Sequence, residues 1–307
     1  MVKFNEQQQK AISFFKGACA VIASAGSGKT SVLTHRIKTL ANVHGVQEHD
    51  ILAISFTKNT ADDLKSKLNK MGLTNVNIGT FHAICARILA AEGIFLNGQN
   101  LIKEWQQENL FKSLMEKPDI NDIVSYISYQ KNYLKAPTDE FVYKESIYTE
   151  EDLRRLYEAY EAYKRKNELY DFDDYLLLAY EVLKKNPGKY TYEFILVDEH
   201  QDSNKIQNLL LKEWCQSGNM FVVFDYRQAL YKFRGGNPEY AMNFDKEWDN
   251  ATVINLDINY RSASNIVHNA NRFIKKYYGT YEHYSDAIPH RQDNGEIITT
   301  TYPDRET

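Results

Sequence analysis

Ala23-Ser24-Ala25-Gly26-Ser27-Gly28-Lys29-Thr30 is the stretch on which the fold turns. An apolar run, Ala18 to Ala25, leads into it, and a helical pattern opens at the Lys-Thr pair. A buried strand, a glycine-rich turn and a helix in that order make a phosphate cradle. Gly26 and Gly28 permit a tight loop whose backbone N–H groups converge on an anion, and the helix adds its positive end. The segment from Ala25 through Ser31 is therefore the expected phosphate contact, with Lys29 reaching terminal phosphates and the Thr30 hydroxyl holding Mg²⁺. Alanine stands at position 23 where the usual pattern has glycine, but the turn rests on Gly26 and Gly28.

Working outward, strand and helix patterns alternate three times. Apolar strands read at Ala18–Ala25, Ile51–Phe56 and Val76–Thr80, each followed by a helical period: Lys29–Ala41, Thr57–Lys70 and Phe81–Ala91. This alternation predicts a parallel α/β sheet covered on both faces. From about Asn100 the period turns wholly helical, over Ile102–Met115, Asp119–Tyr133, Glu150–Glu168 and Asp171–Lys185. That block reads as an insert. The sheet then resumes with Phe194–Val197, Met220–Phe224 and Val253–Leu256, with helices over Ser203–Cys215 and Ser262–Tyr277.

The 307 residues suggest two or three lobes, and an apolar fraction of 43% suits an ordinary globular core. A formal charge of −4 argues against a uniformly basic coat while leaving room for a local basic groove. Cys19, Cys85 and Cys215 lie far apart without metal-ligand spacing, so reduced, buried thiols are expected. The N-terminus lacks a signal-peptide core and no apolar run approaches the roughly 18 residues of a membrane span, so no membrane partner and a cytoplasmic location are expected.

A phosphate loop alone does not separate a kinase from a hydrolase. The apolar strand ending at Val197 delivers Asp198 and Glu199. An acid there can face the cation held by Thr30, and its neighbour can polarise an attacking water. The alternative is a pair of acids serving the helix from Ser203, for which Asp202 is the better cap.

Asp198-Glu199-His200-Gln201-Asp202-Ser203, together with Gly26-Ser27-Gly28-Lys29-Thr30, resembles superfamily 1A DNA helicases of the UvrD/Rep/PcrA type. Shorter matches follow in that family's order. Phe4-Asn5-x-x-Gln8-x-x-Ala11 resembles the Q motif, Ile54-Ser55-Phe56-Thr57 motif Ia, and Gly79-Thr80-Phe81-His82 motif Ib. Asp225-x-x-Gln228-x-x-Tyr231-x-Phe233-Arg234-Gly235 resembles motif III, and Asn259-Tyr260-Arg261-Ser262 motif IV. The resemblance implies a P-loop NTPase of RecA-like fold that uses ATP and Mg²⁺. It implies that Gln8 reads adenine, Tyr260 stacks on it, Gln228 senses the γ-phosphate and Arg261 is an arginine finger. It also implies that Phe56, Thr57, Thr80, His82, Tyr231, Phe233 and Arg234 line a groove for single-stranded DNA or a single-strand/duplex junction. Without the family context, core packing would explain Phe56, Phe81 and Phe233, and a satisfied structural role His82. A helix start capped by Ser262 would likewise explain Tyr260-Arg261.

Departures from the pattern are Lys58-Asn59 in reversed order, Phe224 for glycine, Ala229 for serine, Arg227 for a residue often acidic or Lys, and Ser31 where an arginine is common. Nothing after Arg261 resembles the two remaining motifs of the second RecA-like domain. The expected organisation is a first RecA-like domain over 1–96 and 190–256, a helical insert over 97–189, and the start of a truncated second domain over 257–307. Its last stretch, Glu296–Tyr302, reads as a strand. The expected activity is that of the N-terminal part of an ATP-dependent 3′-to-5′ helicase or translocase, not processive by itself. The alternative is a nucleotide-gated DNA-binding module with little turnover in a repair, replication or phage-defence assembly. A small-molecule kinase is disfavoured by Glu199-x-Gln201 and the motif III match.

Overall fold

The computed structural model describes residues 3–94, 99–229 and 236–298. In chain order the elements are α1 (Glu6–Ser13), β1 (Cys19–Ala23), α2 (Lys29–Asn42), β2 (Ile51–Ile54), α3 (Lys58–Lys70), β3 (Asn77–Gly79) and α4 (Phe81–Ala91). Next come α5 (Glu104–Leu114), α6 (Ile120–Asn132), α7 (Glu150–Lys166), α8 (Phe172–Lys185), β4 (Phe194–Val197), α9 (Lys205–Trp214) and β5 (Met220–Phe224). The remainder comprises α10 (Glu239–Met242), α11 (Phe244–Glu247), β6 (Thr252–Leu256), β7 (Ile258–Asn259), α12 (Ser264–Tyr278) and β8 (Ile288–Pro289).

Six parallel strands form one sheet in the order β3-β2-β4-β5-β1-β6. Strands β1, β2, β4 and β5 are buried along their whole length, which is why they read as unbroken apolar runs rather than alternating ones. One face of the sheet packs Val32, Leu33, Ile37 and Leu40 of α2 with Leu64 and Leu68 of α3. The opposite face packs Phe81, Ile84 and Ile88 of α4, Leu176 and Ala179 of α8, and Leu210 and Trp214 of α9. Helices α5, α6 and α7 hold a separate apolar cluster built on Phe111, Ile123, Ile127, Leu156 and Tyr160. Within the expected insert, then, α8 covers the sheet while α5–α7 stand on a core of their own.

Several expected boundaries shift for physical reasons. Thr57 and Asp171 lie outside their helices as N-caps, their side chains accepting from the backbone N–H groups of Thr60 and Asp174. Asp202 is not the cap of α9. A 3-10 turn over His200–Asp202 uses up the chain there, and Asn204 caps the helix in a reciprocal pair with Gln207. Ser262 does not cap α12, whose N-cap is Ala263. Residues 296–298 are not in a strand, and the rest of the expected final strand lies outside the described residues. All three cysteines are buried and unpaired, and burial pushes the Cys19 thiol up to about 12. No described helix is long and apolar enough to cross a membrane.

Candidate nucleotide site and adjoining cleft

Because every strand is parallel, the segments after β1, β4, β5 and β6 leave the sheet at one edge, where α/β proteins bind ligands. Residues quoted from distant parts of the chain meet there.

The loop after β1 turns through Gly26 (φ +71°) and Gly28 (φ +86°), conformations open to glycine and strained for other residues. Gly28 is the N-cap of α2 and uses no side-chain cap, so the helix end presents bare N–H groups. Ser27 is buried and its hydroxyl has no hydrogen-bond partner among the described residues. Lys29 Nζ donates to Glu199 Oε2 at 2.9 Å. Glu199 itself sits in the left-handed region (φ +51°), a strained conformation of the kind found at functional sites.

Asp198 follows the last residue of β4, and its backbone N–H donates to Ile54 O at 2.9 Å. Burial, then the neighbouring Glu199 carboxylate, push the Asp198 carboxyl up to about 6 against the pull of Lys29. An acid raised that far is one that a divalent cation would return to its ionised form. A hydroxyl from Thr30 and this carboxylate are the hard oxygen donors magnesium takes, so the residue types fit the ion.

Gln201 is buried beside them. Its Nε2 donates to Glu199 Oε2 at 2.9 Å and its Oε1 accepts from the Asp225 backbone N–H at 3.1 Å. Asp225 in turn accepts from Gln228 Nε2 at 2.6 Å and from Arg227 Nε at 2.9 Å. Gln228 is exposed and turned to Asp225, and the side chain joining Glu199 to this segment is Gln201. Burial pulls His200 down to about 4, so its ring is neutral at pH 7, packed on Phe244 and bonded to the Ser203 hydroxyl.

The N-terminal segment and the segment after β6 close the other side. Gln8 Nε2 donates to Ser27 O at 2.9 Å, and its Oε1 accepts from Asn5 N in a capping box. Asn5 Nδ2 donates to the Tyr260 hydroxyl at 2.9 Å, while His290 packs on the Tyr260 ring at 4.8 Å. Tyr260 N donates to Gly26 O at 3.0 Å, which brings Arg261 against the loop. Asn259 Oδ1 accepts from the N–H groups of Arg261 (2.9 Å) and Ser262 (2.8 Å), folding the chain into a turn that aims this segment. Sequence reasoning gave no role to Asn5, Gln201 or Asn259. Their task is to hold other residues, and only the Asn-x-x-Ser turn spacing at 259–262 hints at it.

Phe56, Thr80 and His82 line a cleft of about 930 Å³ between the sheet edge and helices α6 and α8. Thr57 and Thr80 also have structural work, as the caps of α3 and α4. Phe81 is a core residue stacked on Trp214. Burial pulls His82 below its ordinary value against a backbone hydrogen bond with Phe172, whose ring also packs edge-on against it. Among the described residues the cleft lining includes Asp119, Asp122, Asp171, Asp173 and Asp202 and no Lys or Arg. Tyr231, Phe233 and Arg234 lie outside the described residues.

The family described as the UvrD/REP helicase N-terminal domain matches residues 4–249. An ATP-dependent DNA helicase PcrA of Staphylococcus aureus is 32% identical over 292 residues, covering 88% of this chain and 40% of that protein. The PcrA of Bacillus subtilis is 33% identical over 291 residues, covering 88% and 39%. A putative ATP-dependent DNA helicase YjcD of the same bacterium is 31% identical over 325 residues, covering 98% and 42%. The chain thus spans about two-fifths of the length of these relatives. With the phosphate loop, the acid pair after β4 and the Asn259–Ser262 turn converging on one sheet edge, this chain belongs to the UvrD/REP helicase family.

Proposed function

We propose that this chain is the ATP-binding and ATP-hydrolysing front part of a DNA helicase that moves 3′ to 5′ along single-stranded DNA. The observation that carries the reading is the meeting of Lys29 and Glu199 at 2.9 Å beside a loop to which the Tyr260-Arg261 segment is bonded. The N–H groups of Gly26 to Thr30 and the start of α2 receive the phosphates. A magnesium ion held by Thr30 and Asp198 would neutralise phosphate charge. Bound ATP draws Lys29 to the phosphates and leaves Glu199 to accept a proton from water at the γ-phosphate. Arg261, already against the loop, stabilises charge on the transferred group, and Gln228 turns from Asp225 towards it.

On the DNA side, Phe56 and His82 offer faces for bases, worth about 1–3 kcal/mol each by stacking. Phosphates of the strand call for a basic side chain, and Arg234 of the motif III match is the first candidate. The division into 1–96 with 190–256, an insert over 97–189 and a second lobe from 257 belongs to the same reading.

The test is ATP turnover with and without single-stranded DNA. Lys29→Ala should abolish nucleotide binding, and Glu199→Gln should retain binding while lowering turnover at least a hundredfold. Normal ATPase in Lys29→Ala would refute the phosphate-loop assignment. Strand displacement on 3′- and 5′-tailed duplexes by a longer protein carrying this chain tests polarity. Nucleotide-dependent DNA binding by this chain without DNA-stimulated turnover would favour the binding-module reading instead.

A further inference from the structure

Strands β4 and β5 are neighbours, with Val197 opposite Val222, so their chains leave the sheet side by side and their backbone ladder ends there. Gln201 continues the ladder with a side chain. Its amide, only 2% exposed, has the two ends of a peptide group: Nε2 donates to Glu199 Oε2, and Oε1 accepts from Asp225 N–H. The same Nε2 lies 3.4 Å from Asp202 Oδ2. Asp225, 1% exposed, then binds Gln228 through one carboxylate oxygen and Arg227 through the other. A continuous line of hydrogen bonds runs from Glu199 through Gln201 and Asp225 to Gln228.

Glu199 Oε2 has two donors, Lys29 and Gln201, each at 2.9 Å. A nucleotide that draws Lys29 to its phosphates removes one of them and leaves Gln201 as the donor that orients the carboxylate. We infer that Gln201 is a positioning residue that holds Glu199 and passes nucleotide occupancy to the Asp225–Gln228 segment. This rests on the nucleotide-site reading above. The coupling is physical because both ends of one buried amide are committed. Glu199 cannot reorient without moving the acceptor of the Asp225 N–H, and burial of Gln201 keeps bulk solvent from replacing it.

The test uses the wild-type chain, Gln201→Met and Gln201→Glu with Mg²⁺ and the non-hydrolysable analogue adenosine β,γ-imidotriphosphate. Gln201→Met keeps the volume and removes both bonds. Gln201→Glu keeps the acceptor for Asp225 and sets a like charge against Glu199. Affinity for the analogue and hydrogen exchange of the amides at 225–229 are measured together. In the wild type the analogue should change exchange there at least threefold. Gln201→Met should bind the analogue within about threefold of wild type, and both variants, each saturated with the analogue, should lose that change. A nucleotide-dependent change that survives in either folded variant, or is missing in a wild type that binds the analogue, overturns the inference. A wild type that fails to bind the analogue overturns the nucleotide-site reading itself and this inference with it.

Discussion

A Cβ placed on Gly26 would lie 2.6 Å from Arg261 Cβ and 2.9 Å from Asn259 Oδ1, so this glycine is needed for two reasons. Its positive φ disfavours a side chain, and the Tyr260-Arg261 segment occupies the space where one would go. Gly45 separates the two, since it has the same φ of +71° with nothing within 4 Å. Gly45→Ala should therefore cost about 1 kcal/mol of stability, the backbone penalty alone. Gly26→Ala should cost a further ~1–3 kcal/mol from overpacking and weaken nucleotide binding by displacing the turn at Asn259. Urea denaturation of both variants, with nucleotide titration, checks this; equal losses would mean that the close approach carries no weight. At this scale the sequence was partly legible. Gly28, Lys29 and Thr30 announce themselves because a strand, a turn and a helix start are local events. Asn259 and Gln201 do not, because each acts on residues that only the folded sheet edge brings within reach.

Among elements, the apolar runs of β1, β2, β4 and β5 were legible because a parallel sheet buried on both faces has no polar alternation to hide them. What ties α6, α7 and α8 together was not. Lys131 and Lys164, both almost wholly buried, bind the carboxylates of Asp171, Asp174 and Glu161, and Asn132 carries the link onward to Asn204 at 2.7 Å. These charges come from three helices and look in sequence like ordinary solvated faces. Although burial opposes ionisation of Asp171, the two ammonium groups hold its carboxyl well below the usual range. Asp173 fares the other way: burial, and then the Asp171 charge, push it up to about 6. The folded state therefore holds the Asp173 proton more tightly than the unfolded state does. Its contribution to stability is full below pH ~4 and is lost as pH rises towards 6. Asp173→Asn should raise stability at pH 8 by about 1–2 kcal/mol and give no gain at pH 3.5. Denaturation across that range decides it. A variant no more stable than wild type at pH 8 would show that Asp173 is solvated in its ionised form.

For the whole molecule, the question is what holds the segment after β6 on the six-stranded sheet and its helices. The bonds of Tyr260 to Gly26 and Asn5 are two ties, and a further group clusters around Tyr226, the first residue of the turn that ends in Gln228. Its ring, fully buried, packs on Tyr278 at 5.0 Å and Tyr281 at 5.1 Å. Tyr281 donates to Met242 O and His283 pairs with Asp245, so the chain after α12 returns to the segment between β5 and β6 at two points. Burial pushes the Tyr226 phenol up to about 12, and its hydroxyl has no hydrogen-bond partner among the described residues. An unpaired buried hydroxyl is a liability of ~1–3 kcal/mol, whereas the ring is an asset. The two can be separated. Tyr226→Phe should leave stability unchanged or raise it by about 1 kcal/mol. Tyr226→Ala should cost about 3–5 kcal/mol and open the lobe contact, because the hole left cannot be filled from α12 without undocking it. Chemical denaturation gives the first difference, and hydrogen exchange over 278–286 gives the second. If Tyr226→Ala destabilised the chain while exchange over 278–286 stayed at the wild-type level, the ring would serve the core beneath the sheet alone, and the docking would rest on the Tyr260, Tyr281 and His283 contacts.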